Sequence, residues 1–218
     1  MNVFITYWSD RTGDIMTALG EHIMITFVSV ILGCLVAIPL GIFLAGNRVK
    51  FINSIVFMIS NVLQTIPSLA LLAMLIPLLG VGIKPAIFAL FLYSIMPILR
   101  NTYTGFRSVD LNLIEGARGM GYSTRQRLFL IQLPLSFPYI MSGIRTTTVY
   151  IISWATLATL IGGGGLGQLI FSGMGVNKNE MIVTGALLAV VLALVIDFIL
   201  GRVEIFVDNK VKSKPVQV

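Results

Sequence analysis

Five apolar runs set the terms for this chain. They lie at about 23–45, 52–79, 83–99, 139–161 and 181–203. About 20 apolar residues in a helix cross the hydrocarbon layer of a bilayer. Inside that layer no water can satisfy a backbone N–H or C=O, so such runs must close their hydrogen bonds within themselves. The expectation is an all-α integral membrane protein with about five transmembrane helices in a single domain, 1–218. Only 11% of the residues are charged, against roughly 25% in a soluble domain. The third run is the shortest, and Pro85 and Pro97 leave it few uninterrupted turns. Pro39, Pro67, Pro77 and Pro97 also fall inside runs. Membrane helices tolerate such breaks because neighbours re-satisfy the freed carbonyls, and helices that bend around a pathway use them.

The gaps between runs carry the charge. Arg48 and Lys50 follow the first run; Arg100, Arg107, Arg118, Arg125, Arg127 and Arg145 lie in or beside the gap after the third. Arg202, Lys210, Lys212 and Lys214 end the chain. With an odd number of spans these twelve of the fifteen basic residues fall on one side, and Arg11, Lys84 and Lys178 on the other. By the positive-inside rule the twelve face the cytoplasm, with the amino terminus outside and the tail against anionic lipid headgroups. The net charge of +6 is therefore spread over membrane gaps, not gathered on a nucleic-acid-binding face. Residues 1–20 hold Asp10, Arg11 and Asp14 in place of a basic leader, and read as a short amphipathic segment outside the first span. The single cysteine, Cys34, forms no disulfide within the chain and is expected to pack.

The cytoplasmic gap, about 106–138, is patterned as two short helices. Asp110 can cap a helix whose Leu113, Ile114, Ala117 and Met120 share one face, and Gly121 stands where a left-handed residue would end it. Ser123 and Gln126 then offer a capping box for a second helix carrying Leu128, Phe129 and Ile131, which Pro134 is expected to break. Such a knob suits either another protein's groove or the surface of the inner leaflet.

The spacing of Glu115, Ala117, Gly121, Ile131, Leu133 and Pro134 resembles the EAA signature of bacterial ABC importer permeases, with Gly116 in place of the second alanine. That replacement lowers local helix stability by about 1 kcal/mol and keeps the small volume of a tight dock. The stretches Gln64-Thr65-Ile66-Pro67-Ser68, 97–105 and 162–167 look like the subgroup that imports osmoprotectants: glycine betaine, carnitine and choline. The likeness runs from about 20 to 206. It implies a type I, methionine-importer-like permease core in a bacterial plasma membrane. It also implies that Glu115, Gly116, Ala117, Arg118, Gly121 and Arg125 couple the chain to two cytoplasmic ATPase subunits, which bind the ATP and Mg. A second permease, identical or homologous, and an extracellular or periplasmic substrate-binding protein complete the assembly it implies.

No G-x-x-x-x-G-K-[ST] loop is present, so no nucleotide site is expected in this chain, nor any other cofactor. One histidine, His22, excludes a metal cluster and a Ser-His-Asp constellation; it is expected at the membrane interface, not in a proton relay. Neither a catalytic nor a metal residue is therefore assigned. Gln64, Thr65, Pro67 and Ser68 cluster at an expected helix break, and either line a pathway or bond neighbouring helices. Trp154 either packs or offers its ring to a cationic solute. Gly162, Gly163, Gly164, Gly165 and Gly167 form an outer gate, a dock for a delivering protein, or a simple turn. Asp197, deep in the last run, is either functional or paired with Arg145 or Arg202. An amino-acid importer and an ion-driven carrier are the rival readings. The carrier predicts deep titratable groups in several runs and an inverted repeat, and only Asp197 qualifies.

Overall fold

The structure, a computed structural model, describes residues 2–47 and 49–212. Of the basic residues counted above, Arg48 and Lys214 lie outside it, as do the side chains of Lys210 and Lys212. The order is α1 (Asn2–Asp10), α2 (Thr12–Gly46), α3 (Lys50–Thr65), α4 (Ser68–Leu79), α5 (Ile83–Arg107), α6 (Leu111–Gly119), α7 (Thr124–Arg127), α8 (Leu133–Ala158), α9 (Leu166–Gly175) and α10 (Asn179–Lys212). A π-helical turn, Leu128–Gln132, joins α7 to α8, and a 3-10 turn, Thr159–Ile161, ends α8.

Among the described residues four helical stretches are long and apolar enough to cross a membrane: α2, α5, α7 through α8, and α10. The fifth expected run is a bent pair. Its halves α3 and α4 meet at 97°, broken at Ile66 and Pro67. Proline at 67 disfavours helical geometry at Ile66, which is extended with ψ 125°. The third run, in contrast, is one continuous helix of 25 residues. Pro85 lies in the first turn, where no intrahelical bond is lost, and Pro97 is compensated from outside the helix, as described below.

Pro134 does not break its helix either. Leu133 N–H reaches back five residues to the Leu128 carbonyl, and this wide turn lets the chain run from the knob straight into α8 with Pro134 in its first turn. The first membrane helix starts earlier than its apolar run, at Thr12, and α1 packs beside it with Trp8 Nε1 donating to Thr184 Oγ1 of α10 at 3.0 Å.

Helices α2, α5 and α8 form the centre. Ile25, Leu90, Ile151 and Ala155 are buried there together with Leu72 of α4. A second cluster, Ala37, Leu44, Ile98 and Leu99, continues the α2–α5 seam. The seam is close because its facing residues are small: a Cβ at Gly41 would lie 2.8 Å from Thr102 Cβ and 3.2 Å from the Leu99 carbonyl, and one at Gly33 would strike Ser94 Oγ. Close backbone approach of this kind is how helices associate where lipid removes the hydrophobic drive. Helix α10 presents Val190, Leu194 and Phe198 outward, as a lipid-facing helix does. Gly41→Val therefore forces the seam apart; the expected loss is about 1–3 kcal/mol, read as a lower melting temperature in detergent, and an unchanged melting temperature would refute the close seam.

Candidate functional site

Three groupings of candidate residues emerge, one at each end of the bundle and one between them. At the basic end, α6 and α7 form the knob. Asp110 accepts from Asn112 N at 2.9 Å and caps α6. Its far end is a Schellman turn: Tyr122 N–H reaches the Ala117 carbonyl and Gly121 N–H the Arg118 carbonyl, both at 3.0 Å. Gly121 has φ 86°, which only glycine adopts without strain. Ser123 and Gln126 form both halves of the capping box, at 2.7 and 3.3 Å. The two-helix reading thus holds in its local detail.

The knob's surface is open. Glu115, Gly116, Arg118, Gly121 and Arg125 are exposed and Ala117 is buried. Of the apolar face, Leu113 and Met120 remain exposed, and Leu111 joins them. No atom lies within 4 Å of where a Cβ would stand on Gly116 or Gly119. Nothing among the described residues requires those positions to be small.

In the membrane layer, the break between α3 and α4 is tied to α5 by two reciprocal bonds. Pro97 has no N–H to offer the carbonyl four residues earlier, that of Tyr93. Gln64 Nε2 donates to that carbonyl at 2.7 Å. Tyr93 Oη in turn donates to the Ile66 carbonyl at 2.6 Å, satisfying the end of α3. Gln64 is therefore a helix–helix ligature as well as a candidate lining residue. Thr65 Oγ1 bonds back to the Val62 carbonyl, Pro67 is exposed at the break, and Ser68 opens α4. Trp154 of α8 meets this group, its ring 4.6 Å from Tyr93 and stacked at 6.2 Å on Tyr150. Trp154 packs on one side while Tyr150 stays half exposed beside it. The structure thus brings Gln64 and Trp154 together through Tyr93, a residue the sequence reading passed over.

At the opposite end, the glycine turn is held from α2. Gly162, Gly164 and Gly165 have φ of 77°, 76° and 81°. Glu21 Oε2 accepts from Gly165 N at 2.9 Å, His22 Nδ1 accepts from Leu166 N at 3.3 Å, and His22 Nε2 lies 3.0 Å from the Ile152 carbonyl. An accepting Nδ1 requires the proton on Nε2, which then donates to Ile152. Thr159 Oγ1 donates to the Gly164 carbonyl at 2.6 Å, and Gly82 N to that of Ile161 at 2.7 Å. His22 is completely buried within the protein: it joins α2, α8 and the start of α9. Its bond to Leu166, 144 places away in the chain, could not be read from the sequence. A cavity of about 450 Å³ lies beside this turn, with Arg11, Asp14, Glu21, Gln168 and Lys178 on its wall.

Asp197 is paired, and with Arg145. Arg145 Nε and Nη2 donate to its two carboxylate oxygens at 2.7 and 2.8 Å, and Nη1 to Glu204 Oε2 at 3.2 Å. Arg202 instead stacks over Phe198 at 4.9 Å. The bidentate geometry clamps α10 to α8. With its carboxylate committed to a guanidinium, Asp197 is no free proton carrier. Among the described residues no group of three metal-ligating side chains gathers.

A family model described as the binding-protein-dependent transport system inner membrane component matches residues 37–213. The glycine betaine/carnitine/choline transport system permease protein OpuCB of Bacillus subtilis is 46% identical over all of this chain and 97% of its own length. The choline transport system permease protein OpuBB of the same organism is 49% identical over 94% of this chain and 93% of its own. Among solved structures, an inward-facing MetNI methionine ABC transporter superposes with a TM-score of 0.80 at 25% identity, covering 88% of this chain and 95% of the matched one.

His22→Leu leaves the buried Leu166 N–H without an acceptor. The expected cost is about 1–3 kcal/mol, measured as a drop in melting temperature. Stability equal to the unaltered chain would show that His22 does not brace α9.

Proposed function

The chain belongs to the family of binding-protein-dependent transport system inner membrane components, and from that premise we propose that its importer carries quaternary-ammonium compatible solutes: glycine betaine, carnitine or choline. It is a multi-pass protein of the bacterial plasma membrane and the permease subunit of an ATP-binding-cassette importer. The solute class rests on relatives of 46% and 49% identity that cover nearly the whole chain and are named for these compounds.

The observation that carries the mechanism is the knob. It is rigid by its own caps, yet leaves Leu111, Leu113 and Met120 exposed and Gly116 open on its surface. A preformed apolar ridge with an arginine rim suits the groove of a cytoplasmic ATPase subunit. Two ATPase copies bind ATP and Mg, and close; each carries the knob of one permease subunit with it. Because the knob continues through the π turn into α8 without a break, its displacement reaches the helix at the centre of the bundle. The coupling has to be a difference in binding free energy: the closed ATPase pair must favour one permease conformation over the other. A second permease copy or a sister chain supplies the other half of the pathway, and a substrate-binding protein delivers solute at the glycine-turn end. Gln64, Thr65, Pro67, Ser68 and Trp154 flank the pathway, while the 162–167 turn and its brace from Glu21 and His22 form the outer gate. This chain performs no covalent chemistry.

Glu115→Lys and Gly121→Trp are expected to insert normally and to cut solute uptake per ATP hydrolysed at least about tenfold, since one reverses a charge and the other fills the left-handed corner of the knob. The measurement is uptake and hydrolysis side by side in vesicles from cells co-expressing the chain with its genomic neighbours. Unchanged uptake in both variants would remove the docking role. Uptake without nucleotide that stops when the proton gradient is collapsed would overturn the importer mechanism itself.

A further inference from the structure

Glycine betaine and carnitine are zwitterions, and no group considered above recognises their carboxylate. One guanidinium at the inner edge of the membrane layer is placed to do so. Arg100 lies seventeen residues after Ile83 on α5, about 26 Å along the helix and so near the inner boundary of the hydrocarbon. It is exposed, and its contact is a long hydrogen bond of 3.4 Å from Nη2 to the neutral Asn61 Oδ1. Among the described residues no carboxylate pairs with it, whereas Arg145 at similar depth has two. At this boundary an arginine reaches headgroup water without a counter-ion, so its fork stays free to meet an anion.

Its surroundings are continuous with the aromatic group. Asn61 stands three residues before Gln64 and therefore on the same face of α3. Gln64 bonds the Tyr93 carbonyl, and Tyr93 packs on Trp154, which stacks on the half-exposed Tyr150. Arg100 follows Tyr93 by seven residues, two turns along the same face of α5, or about 10 Å. A long arginine side chain can cover much of that interval. The strip therefore offers π faces at one end and an unpaired guanidinium at the other.

We propose that Arg100, assisted by Asn61, is the permease's binding site for the solute carboxylate, with the trimethylammonium group resting on the Trp154–Tyr150 ring faces. The inference rests on the solute class proposed above and adds a distinction within it. The rings attract any quaternary ammonium by its charge. The guanidinium fork pairs a carboxylate through two charge-assisted bonds, and a choline hydroxyl cannot reproduce them. Arg100 thus separates carboxylate-bearing solutes from choline.

The test uses the whole importer in cells that lack other carriers for these solutes. Maximal uptake rates of carnitine, glycine betaine and choline are compared for the unaltered chain, Arg100→Gln and Arg100→Lys, each normalised to the amount of chain in the membrane. The delivering protein is the same in every arm, so a change in the ratio between solutes belongs to the permease. The expected result is a fall of about tenfold or more in the carnitine-to-choline and betaine-to-choline ratios for Arg100→Gln. Arg100→Lys, which keeps the charge and loses the fork, falls between. An equal loss for all three solutes would make Arg100 a structural or headgroup-anchoring residue, or the partner of a carboxylate on a second permease subunit, and would overturn the site. Unchanged ratios, or an unaltered chain that carries choline alone, would overturn it as well while leaving the proposed solute class intact. Uptake of none of the three by the unaltered chain would instead remove the solute class, and this site with it.

Discussion

A carbonyl freed inside a membrane must find a donor, and the centre of this protein is arranged around one such debt. Pro97 leaves the Tyr93 carbonyl without its helical partner, and Gln64 supplies the missing N–H. The Tyr93 hydroxyl then caps the end of α3 at Ile66, where Pro67 turns the chain through 97°. Two proline defects, 30 residues apart in sequence, thus satisfy each other. Without that exchange the bend would expose unpaired backbone to lipid, and α3 would lose the two hydrogen bonds that tie its end to α5. The placement of Asn61 near Arg100, and of Tyr93 under Trp154, follows from the same pair of bonds.

Helix α8 connects the two ends of the molecule. Its start is continuous with the knob through the π turn, and its end leads through Thr159 into the glycine turn. Along its length it is clamped to α10 by Arg145 and, at the Ile152 carbonyl, to α2 by His22. Each of these fastenings is a directional polar contact, and directional contacts are what oppose sliding between apolar surfaces. The knob and the glycine turn are thus joined by one helix that is fastened to its neighbours at both of these points.

The local features were legible. Asp110, Gly121, Ser123 and Gln126 act within a few residues of themselves, so their spacing was enough to place both caps and the corner. The apolar runs located the membrane helices for the same reason, since each closes its own backbone bonds. Proline was harder to read. Pro134 and Pro97 were accommodated by a π turn and by a distant glutamine, whereas Pro67 broke its helix outright. For Pro97 the outcome rested on a donor 33 residues away in the chain, and no property of the sequence around it announces that donor.

By itself, then, the sequence determined the number and extent of the apolar runs, the knob with its caps, and the resemblance that named the family, because all of these are set by neighbours along the chain or by spacing. Tertiary structure alone decided that Asp197 pairs with Arg145 and not Arg202, that His22 is a buried brace, and that Gln64, Tyr93 and Trp154 form one group. Those pairings are choices among many chemically equivalent partners. Only the packing of glycine-lined helices brings one donor and one acceptor within hydrogen-bonding distance and leaves the others apart.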